Sequence, residues 1–325
     1  MATGAFGHIG MGREALTGTS PNQTWGAGVA PTVTIPATFD GNATFPEIEV
    51  DVPTGSRNAP RSDRGRAEYA GSLSGIVVKP NTIGHIFQAA LGDATTTDED
   101  NTATPPTYQH VWVPRANPIS PDIALNPYSL QETKGNKTRR YTGGTCNEFT
   151  LSCDVSERMT ADASWMFRDW VTSGITAATP VIETNPSFMF RHANHEKGGV
   201  AFNDIKNFSM TFTNNCEPDM AQDGSEALRA VYLGTARATF DMTIMFNNIA
   251  VFDDWLNYDD DNWTFRYTIN DAFSLEIDVP NFSIKEHSDP LSGRDMLEVS
   301  ITAAAEEDGD GLFTITLINT QETYA

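Results

Sequence analysis

Residues 236–246 read ARATFDMTIMF. Ala236, Ala238, Phe240, Met242, Ile244 and Phe246 are apolar, whereas Arg237, Thr239, Asp241 and Thr243 between them are polar. A period of two with one apolar side is a half-buried β-strand. Asn247 and Asn248 follow as helix-starting residues, and Phe252, Trp255 and Leu256 then fall at i, i+3 and i+4. That spacing predicts a short amphipathic helix lying back on the strand. The unit recurs from Gly71, with Leu73 and Val77, a break at Lys79-Pro80-Asn81, and Ile83, Ile86 and Phe87 in the places of Phe252, Trp255 and Leu256. The recurrence predicts an internal duplication.

Working outward, Phe149, Leu151, Cys153 and Val155 share one strand face, Ser156-Glu157-Arg158 makes a bend, and Met159, Ala161, Ala163, Trp165 and Phe167 return on the same face. Thr150, Ser152, Asp154, Asp162 and Ser164 point the other way. The second half answers with Phe282 and Ile284, a turn around Pro290 to Gly293, and Leu297, Val299, Ile301 and Ala303, with Glu298, Ser300 and Thr302 opposite. Phe208, Met210 and Phe212 match Ile48, Val50 and Val52, and Leu312 to Ile318 gives a final strand. The expected class is mainly β: two duplicated β-sandwich or half-barrel domains, each with a short α-helix packed on its sheet. Composition divides the chain into a loose, Gly-rich arm over 1–30, a first domain over 31–173, a linker over 174–199 and a second domain over 200–325. The first domain carries long loops at Asp93 to Pro106 and at Ala116 to Tyr141.

The totals exclude several classes. Forty-three acidic residues against 21 basic ones give a net charge of −22, so the surface repels nucleic acid and anionic membranes at long range. Cys146, Cys153 and Cys216 are an odd set without a CxxC, which suits small core residues in a reducing compartment better than a disulfide framework. The opening MATGAFGHIG has no signal-peptide pattern and no apolar run is long enough to span a bilayer, so synthesis in the cytoplasm is expected.

Chemical motifs are sparse. His192, His195 and Glu196 lack the helical HExxH spacing and a further ligand. Glu306 to Gly311 resembles the start of a calcium loop, but Leu317 stands where a bidentate Glu belongs. The acidic cluster from Asp253 to Asp261 could supply paired carboxylates for a hydrolase, although acidic runs at helix ends are more often solvated. Gly71-Ser72-Leu73-Ser74-Gly75 is not a nucleophile elbow, because its centre is Leu73. Neither catalysis nor a cofactor is expected. Basic residues gather in two loops, Arg57, Arg61, Arg64 and Arg66 in one and Lys134, Lys137, Arg139 and Arg140 in the other.

Gly12-Arg13-Glu14 with Gly18-Thr19, the Gly71–Gly75 strand running into Ile83 to Gly92, Arg140-Tyr141-Thr142-Gly143-Gly144 before Asn147-Glu148-Phe149, and Leu275 to Phe282 together resemble the major tail tube protein of long-tailed bacteriophages. The resemblance implies a structural virion protein, made in the host cytoplasm, whose subunits form rings with sheets joined into an inner β-barrel. Rings stack into the tube through which DNA passes during ejection, with tape measure, initiator and terminator proteins as further partners. A duplicated unit implies a trimeric ring with pseudo-sixfold symmetry. Asp154, Asp162 and Glu298 are then candidates for the lumen face, and the two basic loops for contacts between rings or subunits. The alternative is a two-domain β-sandwich adhesin or carbohydrate-binding module, which would use exposed aromatics such as Trp25, Trp112 or Trp263.

Overall fold

The structure, a computed structural model, describes residues 7–17, 24–25, 28–48, 62–114, 125–219, 227–228, 230–245, 250–288, 298–307, 309 and 311–324. In chain order, β1 Gly7–Arg13, β2 Val33–Ile35, β3 Thr38–Thr44 and β4 Glu68–Val77 lead to helix α1, Ile83–Leu91. Next come β5 Thr95–Asp100, β6 Thr107–Trp112, β7 Tyr128–Lys134, β8 Lys137–Asp154, β9 Thr160–Phe167 and β10 Asp169–Val171. The remainder holds β11 Ala193–Lys197, β12 Ile205–Thr213, β13 Arg237–Met245, helix α2 Ala250–Asn257, β14 Asp261–Asn270, β15 Phe273–Ser288, β16 Glu298–Ala305 and β17 Thr314–Asn319. The protein is mainly β, as its alternating sequence requires.

One antiparallel sheet runs through the whole molecule in the order β3-β4-β9-β8-β12-β13-β16-β15. The second four strands repeat the order of the first four: the strand before the unit, the strand leading to the helix, and then the long hairpin with its later strand innermost. Among the described residues nothing pairs with the outer edge of β3, and Ser283 to Ser288 of β15 pair only with β16. The sheet therefore does not close on itself within one chain.

Two long strands serve two layers each. From Thr145 onward β8 belongs to the continuous sheet, whereas its first part pairs with β7 and β10 in an outer layer that also holds β1 and β2. The change of layer occurs at Gly143, whose φ is 62°, and at Gly144, where a Cβ would lie 2.7 Å from both the Phe167 ring and the Tyr128 carbonyl oxygen. Beyond it the strand crosses behind β9 and β4, so that the Tyr141 ring meets Phe39 of β3 at 5.3 Å. β15 does the same in the second half. Phe282 packs on Phe240 of β13 at 5.2 Å, Phe265 of the paired β14 packs on Phe208 of β12 at 4.5 Å, and Tyr267 reaches Cys153 of β8. The aromatic core fills the space between the layers, each fully buried ring worth about 1.5–3 kcal/mol.

Helix α1 is buried on nearly every side and ends at Gly92, whose φ of 100° suits only glycine. The Trp112 indole of β6 packs on Phe87 at 5.6 Å and donates to Gln88 Oε1 at 3.0 Å. β6 is itself paired with β17, so strands that close the second half cover the helix of the first. Tyr324, also buried, packs on His85 and Trp112. Helix α2 buries Val251 but leaves Leu256 57% exposed, contrary to the expectation that Leu256 lies back on the strand.

Several sequence expectations shift. The strand that pairs with β4 as β12 pairs with β13 is Thr38–Thr44, not 47–52; of that segment Glu47–Ile48 forms a two-residue ladder with Asp63–Arg64, and Ile48 is exposed. The expected loose arm contains β1, which is paired on both sides because Gly10 and Gly12 let Pro31 and Ala30 come within what would be Cβ contact. The expected loops contain β5, all of whose residues are exposed, and β7 with the start of β8. The expected linker contains β11, paired with β14. Cys146 and Cys153, seven apart, are both buried because the register shifts between Cys146 and Glu148. Asn247, Asn248, Val50, Val52, Leu297 and the turn at Pro290 to Gly293 lie outside the described residues.

Gly144→Ala tests the change of layer. A methyl at this point meets a backbone oxygen that cannot yield, so urea unfolding should show a loss of about 1–3 kcal/mol with no change in m. An unchanged midpoint would mean that the crossing does not depend on this glycine.

Candidate functional site: the uncovered polar face

Alternation along the eight sheet strands sends one set of side chains into the core and the other to a face that no helix or strand covers among the described residues. Cross-strand neighbours on that face form continuous rows. One row runs Asp40, Ser72, Ser164, Glu148, Thr213, Arg237. A second runs Asp162, Thr150, Thr211, Thr239, Ala304, Ser283, and a third Thr160, Ser152, Ser209, Asp241, Thr302, Glu286. A fourth runs Asp154, Asn207, Thr243, Ser300, Ser288.

The chemistry of the face is hydroxyl and carboxylate. Thr150 and Thr211 share a hydrogen bond of 3.0 Å, Ser152 and Thr160 one of 3.1 Å, and the Thr302 hydroxyl donates to Asp241 at 2.7 Å. Such short side chains satisfy one another across strands and leave little for a ligand to grip. Asp154, Asp162 and Glu298, the three acids expected here, are all exposed on this one face. The backbone N–H of Gly75 donates to Asp162 at 2.7 Å, and Glu298 is paired with Lys206. Asp40, Glu148, Asp241 and Glu286 join them; the same period of two could have found these, since Asp241 stands in the very stretch that reveals the strand. Arg237, Lys206 and Lys285 are the bases beside them, and Lys285 is held by Glu306. The excess of carboxylates makes the face repel phosphate, and among the described residues it carries no aromatic ring on which a base or sugar could stack.

The basic residues are dispersed. Lys134 and Lys137 stand opposite each other at the exposed tip of the β7–β8 hairpin, Lys134 pairing with Glu132. Arg139 lies 5.5 Å over Trp170, and Arg140 gives its donors to Gln131 Oε1 at 2.7 and 3.1 Å and to the Gly28 carbonyl at 3.0 Å. Arg64 stacks 3.4 Å over Phe45, and Arg66 bonds the Ala227 carbonyl. Arg57 and Arg61 lie outside the described residues.

Features that would favour other chemistries are placed elsewhere. Trp112 and Trp263 are fully buried and offer no sugar platform. Asp254 and Asp261 both bind Lys197, at 2.8 and 3.0 Å, while Asp253, Asp259 and Asp260 are exposed. His195 is buried among Phe208, Phe265 and Tyr267, and burial pulls its pKa down to about 4, which keeps the ring neutral. Among the described residues no group of His, Cys, Asp and Glu could hold a metal ion, and no helix is long and apolar enough to cross a membrane.

A family model described as phage tail tube protein matches residues 4–305, nearly the whole chain. No curated protein matches it.

The partition into core and open face predicts thiol reactivity. Cys146, Cys153 and Cys216 are buried, and desolvation raises all three thiols, Cys153 to about 11 and Cys216 to about 12. In the native chain they should resist a maleimide, whereas Thr239→Cys should react within minutes. Comparable labelling of the wild-type chain and the variant, read by mass spectrometry, would contradict the assignment.

Proposed function

The chain belongs to the phage tail tube protein family, and from that premise we propose that its copies polymerise into the stacked rings of a tail tube, with the hydroxyl-and-carboxylate face turned to the lumen. The observation that supports this best is the repeated strand order with an open edge at each end. An exposed edge is a row of unpaired N–H and C=O groups that another chain can complete. The joint between β8 and β12 is a pattern for it, since it links the fourth strand of one set to the first of the next. A second copy's β3 added to Ser283–Ser288 of β15 continues the same order. We read the two sets as a duplicated unit, so three chains supply six sets and close a trimeric ring with pseudo-sixfold symmetry. Ring closure and head-to-tail stacking are heterologous contacts, which build a filament until another protein caps it. Initiator, terminator and tape measure proteins are the partners this reading requires.

The lumen reading gives the acidity a use. DNA must slide without sticking, and carboxylates on a hydroxyl lining repel its phosphates while offering no hydrogen-bond donors of positive charge. Asp154, Asp162 and Glu298 are the proposed lumen acids. Lys134, Lys137, Arg139 and Arg140, with Arg57, Arg61, Arg64 and Arg66, form the proposed contact regions outside the lumen, and Lys134 and Lys137 stand at an exposed hairpin tip.

Electron microscopy of the concentrated protein should show hollow tubes or stacked rings, and end-on averages should contain three chains. Six chains per ring would refute the duplication-based stoichiometry. In virions carrying Asp154→Lys, Asp162→Lys and Glu298→Lys, DNA ejection should slow, most strongly at low ionic strength where screening is weakest. Ejection that keeps its wild-type rate and salt dependence would remove these residues from the lumen.

A further inference from the structure

The two helices occupy the same place relative to their strand sets but have different roofs. The outer layer of the second half overhangs the β8–β12 joint: Tyr267 reaches Cys153, and β15 pairs with β17, which pairs with β6 over α1. Asn319 and Tyr324 then clamp the start of α1, through the Pro80 carbonyl at 2.9 Å and the His85 ring at 4.9 Å. In this chain the second half thus helps to cover the helix of the first. No set of the same chain follows β15, and α2 is the helix left open, with Leu256 57% and Tyr258 82% exposed beside exposed Asp253, Asp259 and Asp260.

The first half carries the matching overhang. From Cys146 to Tyr141 β8 covers about 16 Å, close to the three strand spacings of about 14 Å that separate it from β3. Tyr141 indeed lies against Phe39 and Gly41 of β3. Four more residues carry the strand about 13 Å further, past the open edge, to the hairpin tip at Lys134 and Lys137. Whatever pairs with β3 receives this tip on its outer side.

We infer that the β7–β8 hairpin of one copy roofs helix α2 of the laterally adjacent copy, its Lys134 and Lys137 meeting Asp253, Asp259 and Asp260 while the lysine stems cover Leu256 and Tyr258. The inference rests on the ring reading and adds the contact that orients neighbours within a ring. The occupant is a second copy because the charges are complementary and because the same overhang, within the chain, covers α1. Lysine suits the contact, since its stem lies along apolar surface while the ammonium meets carboxylates at the edge.

The test uses the full chain. Lys137→Glu should leave the subunit folded, because Lys137 is exposed and Lys134 keeps its pairing with buried Glu132, but raise the concentration needed for rings at least about tenfold, the equivalent of 1.4 kcal/mol. Adding Asp253→Lys and Asp259→Lys should restore assembly. Oxidised Lys137→Cys/Leu256→Cys chains should give a covalent ladder ending at a closed ring, with neither single variant doing so. Unaltered tubes from the Lys137→Glu chain would overturn the contact and leave the tube reading standing. Closed rings that merely fail to stack would overturn its lateral placement. A wild-type chain that stays monomeric at every concentration and salt would overturn the ring reading, and the contact with it.

Discussion

The ladder between Glu148–Asp154 of β8 and Asn207–Thr213 of β12 is the interaction on which the rest depends. It makes one sheet of two strand sets, and it does so with backbone hydrogen bonds. Such bonds have no preference for a particular side chain. A joint of this kind can be repeated wherever a strand with the right alternation meets an open edge, so the same physics that ties the halves together is available to a neighbouring copy. The specificity must then come from elsewhere, and the overhanging outer layers are where the chain can place it.

Continuity of the sheet also sorts the residues. Between the register shifts at Cys146/Glu148, Ala161/Ala163, Ile205/Asn207 and Ile284/Glu286 the alternation holds, and a one-residue slip there would send Phe240, Phe208 and Leu151 outward and Asp241 and Asp154 inward. The aromatic contacts between layers, such as Phe208 with Phe265 and Phe240 with Phe282, oppose any slip at the cost of several buried rings. That leaves the opposite face free of any packing requirement. Threonine and serine keep β propensity there without apolar exposure, and the carboxylates scattered among them are separated by neutral hydroxyls rather than clustered.

The sequence showed the parts governed by local periodicity. The strand at 237–245, the two helices, the hairpin of β8 and β9 and the outward placement of Asp154, Asp162 and Glu298 all follow from a period of two or of 3.6. The parts governed by distant neighbours were hidden. Thr38–Thr44 contains Gly41 and Asn42 and has little strand signal of its own, yet Gly41 is what lets the Tyr141 ring cross behind it. Gly10 and Gly12 made β1 resemble a loose arm for the same reason, since close approach of another backbone needs a residue without a side chain. Arg140 looked like surface charge but is spent on Gln131 and Gly28, neither of which spacing could have named.

The helices carry the last step of this argument. α1 reads IGHIFQAAL and has no charged residue within it; α2 reads AVFDDWLN and has two. The difference in polarity follows the difference in surroundings. α1 is covered by strands tethered in its own chain, and the polar side chains on its covered side are met within that chain, Gln88 by the Trp112 indole and His85 by the Tyr324 ring. α2 is left open among the described residues, and on the proposed ring reading it faces water until another copy arrives, which a wholly apolar helix could not do without promoting unspecific association. Its mixture of Leu256 and Tyr258 with Asp253, Asp259 and Asp260 is the composition of a surface that has to be soluble first and covered later.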